Sequence, residues 1–281
     1  MNREDIGEKI GIVGETGSGK TTALISIAMA HPNDMFYVID PENNFKIIWY
    51  ELGGPEAIPN ITLYVVAGYE DIVKYSEEIT KKAKLNDWIC LESVGRLYVE
   101  AQEHYARKVY GTSREEYYIM QAAALKEKEG SVNRPPTFDS FREWSTIRDD
   151  FNRIFWGILK KTLSYEKQRS PNFVVTSQTR PIPMKEEVIN GQRTGQMVPV
   201  HAIDDALSMF INLGVKPDGE KHVWENLWTI IYTDRDRGGK ITFQVIKEKG
   251  RPSYPKLPKT IINPDIKSLW LAWQDALGMV K

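Results

Sequence analysis

Lys9-Ile10-Gly11-Ile12-Val13-Gly14-Glu15-Thr16-Gly17-Ser18-Gly19-Lys20-Thr21-Thr22 is the stretch that sets how the rest of the chain is read. Its first five residues are a short apolar run that reads as a strand. Ala23-Leu24-Ile25-Ser26-Ile27-Ala28-Met29-Ala30 then reads as a helix, stopped by His31-Pro32-Asn33. Between them, Gly14 to Thr21 matches G-x-x-x-x-G-K-[ST] in full. Glycines at 14, 17 and 19 permit a tight loop whose backbone N–H groups surround a phosphate. Lys20 is placed to reach the β- and γ-phosphates and Thr21 to ligate Mg²⁺, while the helix N-terminus adds to the positive field. A chance Gly-rich turn would lack this strand-before, helix-after context. The stretch Gly14, Glu15, Thr16, Gly17, Ser18, Gly19, Lys20, Thr21 and Thr22 therefore predicts a nucleoside triphosphate site.

Outward from this motif the chain alternates. Met35–Ile39, Ile61–Val66 and Trp88–Leu91 are continuous apolar runs, the mark of buried parallel strands. Ile72, Val73, Ile79 and Ala83 recur at helical spacing amid charges. This alternation predicts an α/β fold with a mostly parallel central sheet flanked by helices. The pattern then breaks. Residues 97–129 read as helical and charged, 130–136 as a loop, and Phe141, Trp144, Ile147, Phe151, Ile154, Phe155 and Ile158 as one face of a long helix. Strands resume at Phe173–Ser177, followed by a polar loop over 180–200. Leu207–Leu213, Trp228–Thr233 and Ile241–Ile246 are further strand candidates, the last two joined as a hairpin through Asp236-Arg237-Gly238-Gly239. The expected organisation is a core over 1–250 with a helical insertion at about 97–150. An extension over 251–281 ends in an amphipathic helix.

Composition bounds the rest. The chain has 281 residues, 41% hydrophobic and 27% charged, as expected of a folded domain and not a disordered one. With 37 Lys+Arg against 38 Asp+Glu, the net charge of −1 excludes a polycation that coats nucleic acid by bulk charge, but not a local basic groove. A single cysteine, Cys90, makes no intramolecular disulfide, which points to a reducing cytoplasm. No segment approaches a membrane span. His31, His104, His201 and His222 are scattered and form no metal-binding pattern. Neither a guanine-specific Asn-Lys-x-Asp nor a transport-ATPase signature is present.

Three strand ends carry further polar residues: Ile39-Asp40-Pro41-Glu42, Leu91-Glu92-Ser93-Val94 and Thr176-Ser177-Gln178-Thr179-Arg180. Taken singly, each reads equally well as a polar cap. In an open parallel sheet all three converge on the ligand edge. In this order the sequence resembles the RecA-like recombinase ATPases, particularly the core-only forms carried by phages, over about residues 8–247. The resemblance implies a RecA-like P-loop NTPase fold, ATP and Mg²⁺ as cofactors, and Glu42 as the carboxylate that polarises the attacking water. It makes Glu92 the second metal-side residue beside Thr21, although the family has Asp there. It makes Gln178 the sensor of the γ-phosphate, and the 180–200 loop, with Arg180, Lys185 and Arg193, the DNA-binding loop.

Such ATPases receive a cation from a neighbouring subunit, so Arg235, Arg237 and Lys247 are candidates for a finger acting in trans. A solvated hairpin tip accounts for these residues equally well. The function implied is ATP hydrolysis coupled to single-stranded DNA in recombination, annealing or replication, by a homo-oligomer forming a filament or ring. Two other readings stand beside it. One is a DNA packaging or helicase-type translocase motor, and the other a nucleotide-gated interaction protein with weak hydrolysis, which the Glu92 departure suits.

Overall fold

The computed structural model of the chain describes residues 7–127, 143–162, 171–189, 192–200, 205–248 and 260–262. The first half alternates as the sequence predicts, except that two short helices the sequence reading did not place lie between the second and third strands. Strand β1 (Lys9–Gly14) is followed by α1 (Lys20–Ala30), β2 (Phe36–Asp40), the short helices α2 (Phe45–Glu51) and α3 (Gly54–Ala57), β3 (Ile61–Val65), α4 (Tyr69–Lys82) and β4 (Trp88–Leu91). Three helices come next: α5 (Val94–Tyr110), α6 (Arg114–Glu127) and α7 (Glu143–Thr162). The chain then returns to the sheet through β5 (Asn172–Pro181), forms β6 (Met184–Ile189), β7 (Gln192–Pro199) and β8 (Val215–Pro217), and ends in β9 (Thr229–Arg235), β10 (Ile241–Glu248) and β11 (Thr260–Ile262).

The central sheet runs β11-β10-β9-β1-β5-β4-β2-β3, with β8 added to the end of β5. The six strands from β9 to β3 are mutually parallel, and β10 and β11 continue antiparallel. Late in the chain yet central in the sheet, β5 lies between the strand that precedes the glycine loop and the strand that ends at Glu92.

Strand alternation splits the core into two layers. Ile10, Ile12, Phe36, Val38, Trp88, Cys90 and Val174 face α1 and α2. Val13, Tyr37, Ile39, Ile89, Leu91, Phe173 and Val175 face the opposite side, against Ile72 and Ile79 of α4, Leu97 and Ala101 of α5, and Phe151 and Phe155 of α7. Within the 97–150 stretch, then, α5 and α7 cover the sheet beside α4, and α6 packs on α5 through Tyr117. On the same face, Trp224 and Leu227 press against Gly11, where an added methyl would lie 2.7 Å from Leu227 Cδ1. No helix among the described residues is long and apolar enough to cross a membrane.

Two segments differ from expectation. Residues Asp205–Leu213 form a 3₁₀ helix, not a strand, because Leu207, Phe210 and Leu213 fall at the threefold spacing of that helix and bury one edge. The polar loop at 180–200 is mostly strand: β5 continues to Pro181 and β6 pairs antiparallel with β7. The signal lay in Asn190-Gly191, a hairpin dipeptide between the paired Ile189 and Gln192. The terminal helix expected over 266–280 lies outside the described residues, as do the 130–136 loop and most of the 251–264 connector.

Candidate nucleotide site and an adjoining cleft

The loop after β1 is built against its neighbours. Gly14 stands level with Gln178 on β5 and with Thr233 on β9. An added methyl at Gly14 would lie 2.2 Å from both the carbonyl oxygen and the hydroxyl of Thr233, so no side chain fits. Ser18 donates to the Glu15 carbonyl at 2.7 Å and lies 2.7 Å from Thr233 Oγ1, tying the loop to β9. Gly17 and Gly19 adopt φ of 77° and 91°, left-handed conformations that glycine takes at no steric cost. Glu15, Thr16 and Gly17 are exposed at the crest of the loop, while Thr21 and Thr22 follow Lys20 in the first turn of α1.

Lys20 is 8% exposed and donates to the carbonyls of Gly14 (3.0 Å) and Glu15 (2.7 Å), so its charge lies within the loop. Burial lowers its pKa, while the carboxylates of Glu92, Glu42 and Glu15 pull it the other way. Thr21 donates its hydroxyl to Glu92 Oε1 at 2.8 Å. Glu92 is 5% exposed, and its other oxygen, Oε2, has no hydrogen-bond partner. Burial, with a smaller contribution from the Asp40 carboxylate, pushes its pKa from an ordinary carboxyl value of 4.5 up to about 7, against the pull of the Thr21 and Thr176 hydroxyls and the Lys20 ammonium. A buried carboxylate oxygen left over beside a threonine hydroxyl is an oxygen donor set that fits Mg²⁺. Among the described residues no group of three or more His, Cys, Asp or Glu could hold a metal alone.

Asp40 organises the next strand end. Its carboxylate accepts from the backbone N–H of Glu42 (3.1 Å) and of Phe45 (2.9 Å), folding the turn into α2. Burial raises the Asp40 pKa in spite of those bonds. The turn delivers Glu42 to Ser93, whose hydroxyl donates to Glu42 Oε1 at 2.7 Å. Ser93 follows Glu92 through a cis peptide bond and also caps α5, accepting from the Arg96 N–H at 3.4 Å. Glu92, Ser93 and Glu42 thus form one cluster at the carboxyl ends of β2 and β4.

Beyond it lies a cleft of about 400 Å³, between the first turns of α5, Trp144 of α7 and the end of β5; Glu42 and Gln178 form part of its wall. The Gln178 carbonyl accepts from the Asp218 N–H at 2.8 Å, and Ser177 Oγ donates to the Gln178 and Asp218 carbonyls. Asp218 and Gly219 pack onto Gly95 in the first turn of α5. The end of β5 and the start of α5 are therefore linked through Asp218 and Gly219.

Of the remaining candidates, Arg180 reaches the cleft and pairs with Asp218 at 3.1 Å. Lys185 and Arg193 stand on the β6–β7 hairpin, both exposed, with Arg193 Nη1 3.3 Å from Glu186. Arg235 arches over its own chain's loop: a methyl at Gly17 would lie 3.9 Å from Arg235 Nη1. Arg237 is exposed at the tip of the β9–β10 hairpin. Lys247 lies at the other end of β10, level with Ile230, and donates to the carbonyls of Trp224 (2.6 Å) and Glu225 (3.0 Å).

Sequence reading gave Ser93 no role beyond a polar strand end, and missed Thr233, Asp218, Arg96 and Arg114. Ser93 was legible as a serine opening an apolar helical run. Thr233 and Asp218 enter only through strand register, which no local pattern reveals.

No protein-family model matches the chain. Nor does any curated protein. Among solved structures, the chain is similar to the crystal structure of the RadB recombinase, at 13% identity and a TM-score of 0.45, over 87% of this chain and 83% of that one.

Proposed function

We propose that this chain is a Mg²⁺-dependent, RecA-like ATPase that acts on single-stranded DNA as a homo-oligomer in the cytoplasm, in recombination, annealing or replication of a phage type. One observation carries the reading. A complete glycine loop shares one sheet edge with two strand-end carboxylates, Glu92 bonded to Thr21 and Glu42 bonded to Ser93, and with Gln178 level with Gly14.

In this mechanism the loop N–H groups and Lys20 bind the triphosphate, and Thr21 with Glu92 holds the cation. Mg²⁺, when bound, neutralises charge on the phosphates. Glu42 orients the attacking water and accepts its proton at the carboxylate, with Ser93 fixing the orientation of Oε1. Gln178 answers to the γ-phosphate, and its backbone link to Asp218 carries that response toward α5. Most of the catalysis is positioning and electrostatics.

A second reading, nucleotide-gated binding with weak hydrolysis, is favoured by Glu92, which stands where the resemblance has Asp and whose Oε1 accepts from the Thr21 hydroxyl. The experiment is steady-state ATP hydrolysis with Mg²⁺, alone and with single-stranded or duplex DNA, beside Lys20→Ala. Stimulation by single strands supports the leading reading. Stimulation mainly by duplex DNA points to a translocase. ATP binding with negligible turnover under all conditions supports the second reading, and absence of ATP binding overturns both.

A further inference from the structure

We propose that the cleft beside Glu42, and not the β6–β7 hairpin, is where the chain takes the phosphodiester backbone of a single strand, with a base placed against Trp144. The proposal rests on the single-strand reading above and specifies its surface.

Three arginines from separate segments meet here: Arg96 in the first turn of α5, Arg114 at the start of α6 and Arg180 at the end of β5. Arg96 pairs with Glu100 at 2.6 Å and Arg180 with Asp218 at 3.1 Å, but Arg114 Nη1 donates to a neutral amide, Gln102 Oε1, at 2.6 Å. Convergent guanidinium groups are suited to phosphate oxygens, for which they carry the matching fork of donors. The wall is completed by Trp144, which stacks on Tyr98 at 6.1 Å and 11°. Cationic groups interleaved with aromatic rings are the recurring means of holding unpaired strands. At about 400 Å³ the cleft is at the small end of ligand pockets, enough for one nucleotide unit whose base is free to leave its stack. The hairpin offers less. Glu186 and Glu187 lie on the same strand as Lys185, and no aromatic residue occurs between Met184 and Val200.

The site is also wired to the chemistry. The Arg96 N–H donates to Ser93 Oγ, and Ser93 donates to Glu42. The helical turn that offers Arg96 to the strand therefore holds the water-side carboxylate as well.

The test uses the full chain with Mg²⁺ and ATP, and reads the fluorescence anisotropy of a labelled oligothymidylate across a salt series. Arg114→Gln with Arg180→Gln is expected to weaken binding at least tenfold and to flatten the salt dependence by about 0.7 per lost phosphate contact. Lys185→Gln with Arg193→Gln is expected to change affinity less than threefold. Trp144→Ala should weaken binding, and Trp144→Phe should restore it. Unlabelled thymidine monophosphate should compete only at far higher concentration than the oligomer. Thermal melts check folding, and if the double variant fails to fold, Arg114→Gln alone carries the comparison. Wild-type affinity in the cleft variants with loss in the hairpin variants would overturn the proposal, as would equal competition by the mononucleotide. If the wild-type chain binds ATP but no oligomer, the single-strand reading itself fails, and this assignment with it.

Discussion

Glu92→Gln offers the sharpest test of the reasoning about the site. The wild-type carboxyl is 5% exposed, with one oxygen bonded to Thr21 and the other unpartnered. Its pKa of about 7 in the folded chain, against 4.5 ordinarily, means that the fold favours the protonated form. Stability from this group is therefore intact at low pH, begins to fall as pH passes the unfolded value near 4.5, and is fully lost above about 7. Between pH 5 and pH 8 the loss is about 2–3 kcal/mol, because each tenfold difference in proton affinity between the folded and unfolded chains is worth about 1.4 kcal/mol. Glutamine has the same shape and cannot ionise, so the variant lacks this component. Urea unfolding of wild type and Glu92→Gln at both pH values, without Mg²⁺ or nucleotide, gives the double difference in which titrating groups not coupled to Glu92 cancel. The wild type should lose about 2–3 kcal/mol more than the variant on going from pH 5 to pH 8. Parallel pH dependence in the two proteins would show that Glu92 ionises at an ordinary pH, against the effect ascribed to its burial.

Other consequences are open to direct measurement. Glu42→Gln should leave ATP binding nearly intact and lower turnover by roughly 10²–10⁴-fold, and wild-type turnover would show that the proton acceptor has been misassigned. Ser93→Ala removes the α5 cap, at about 1 kcal/mol, and unties Glu42. It should keep oligonucleotide binding while losing most of the stimulation of hydrolysis, and retained stimulation would break the proposed link. Gly14→Ala drives a methyl to 2.2 Å from the Thr233 carbonyl oxygen and should cost about 3 kcal/mol in thermal or urea unfolding, because β1 and β9 must separate. An unchanged melting temperature would contradict the packing described for the loop.

The parts of this molecule that were legible in its sequence are those set by short-range chemistry. The glycine loop, the buried parallel strands and the aromatic face of α7 each follow from spacing within a dozen residues. The composite features were not legible. That β5 inserts between β1 and β4 depends on pairing across more than 150 residues, and only this insertion sets Gln178 level with Gly14. The cleft joins Arg96, Arg114, Trp144 and Arg180, which share no local pattern. The strand assigned at Leu207–Leu213 failed because a short apolar run carries no decisive period. The 180–200 stretch read as a loop because its glycines and charges obscured the antiparallel pairing of β6 with β7.

The ten-residue strand β5 has one more consequence. Its first half is locked between two parallel neighbours, its last residues pair antiparallel with β8, and the chain passes into β6 after only Ile182 and Pro183. Extended backbone of that length is about 33 Å long, and pairing with β1 and then β8 runs without a gap from Phe173 to Pro181. A displacement at Gln178 would therefore pass along paired backbone toward the hairpin, with only Ile182 and Pro183 between them to absorb it. The hairpin would move as a pointer whose reading is set at the centre of the sheet.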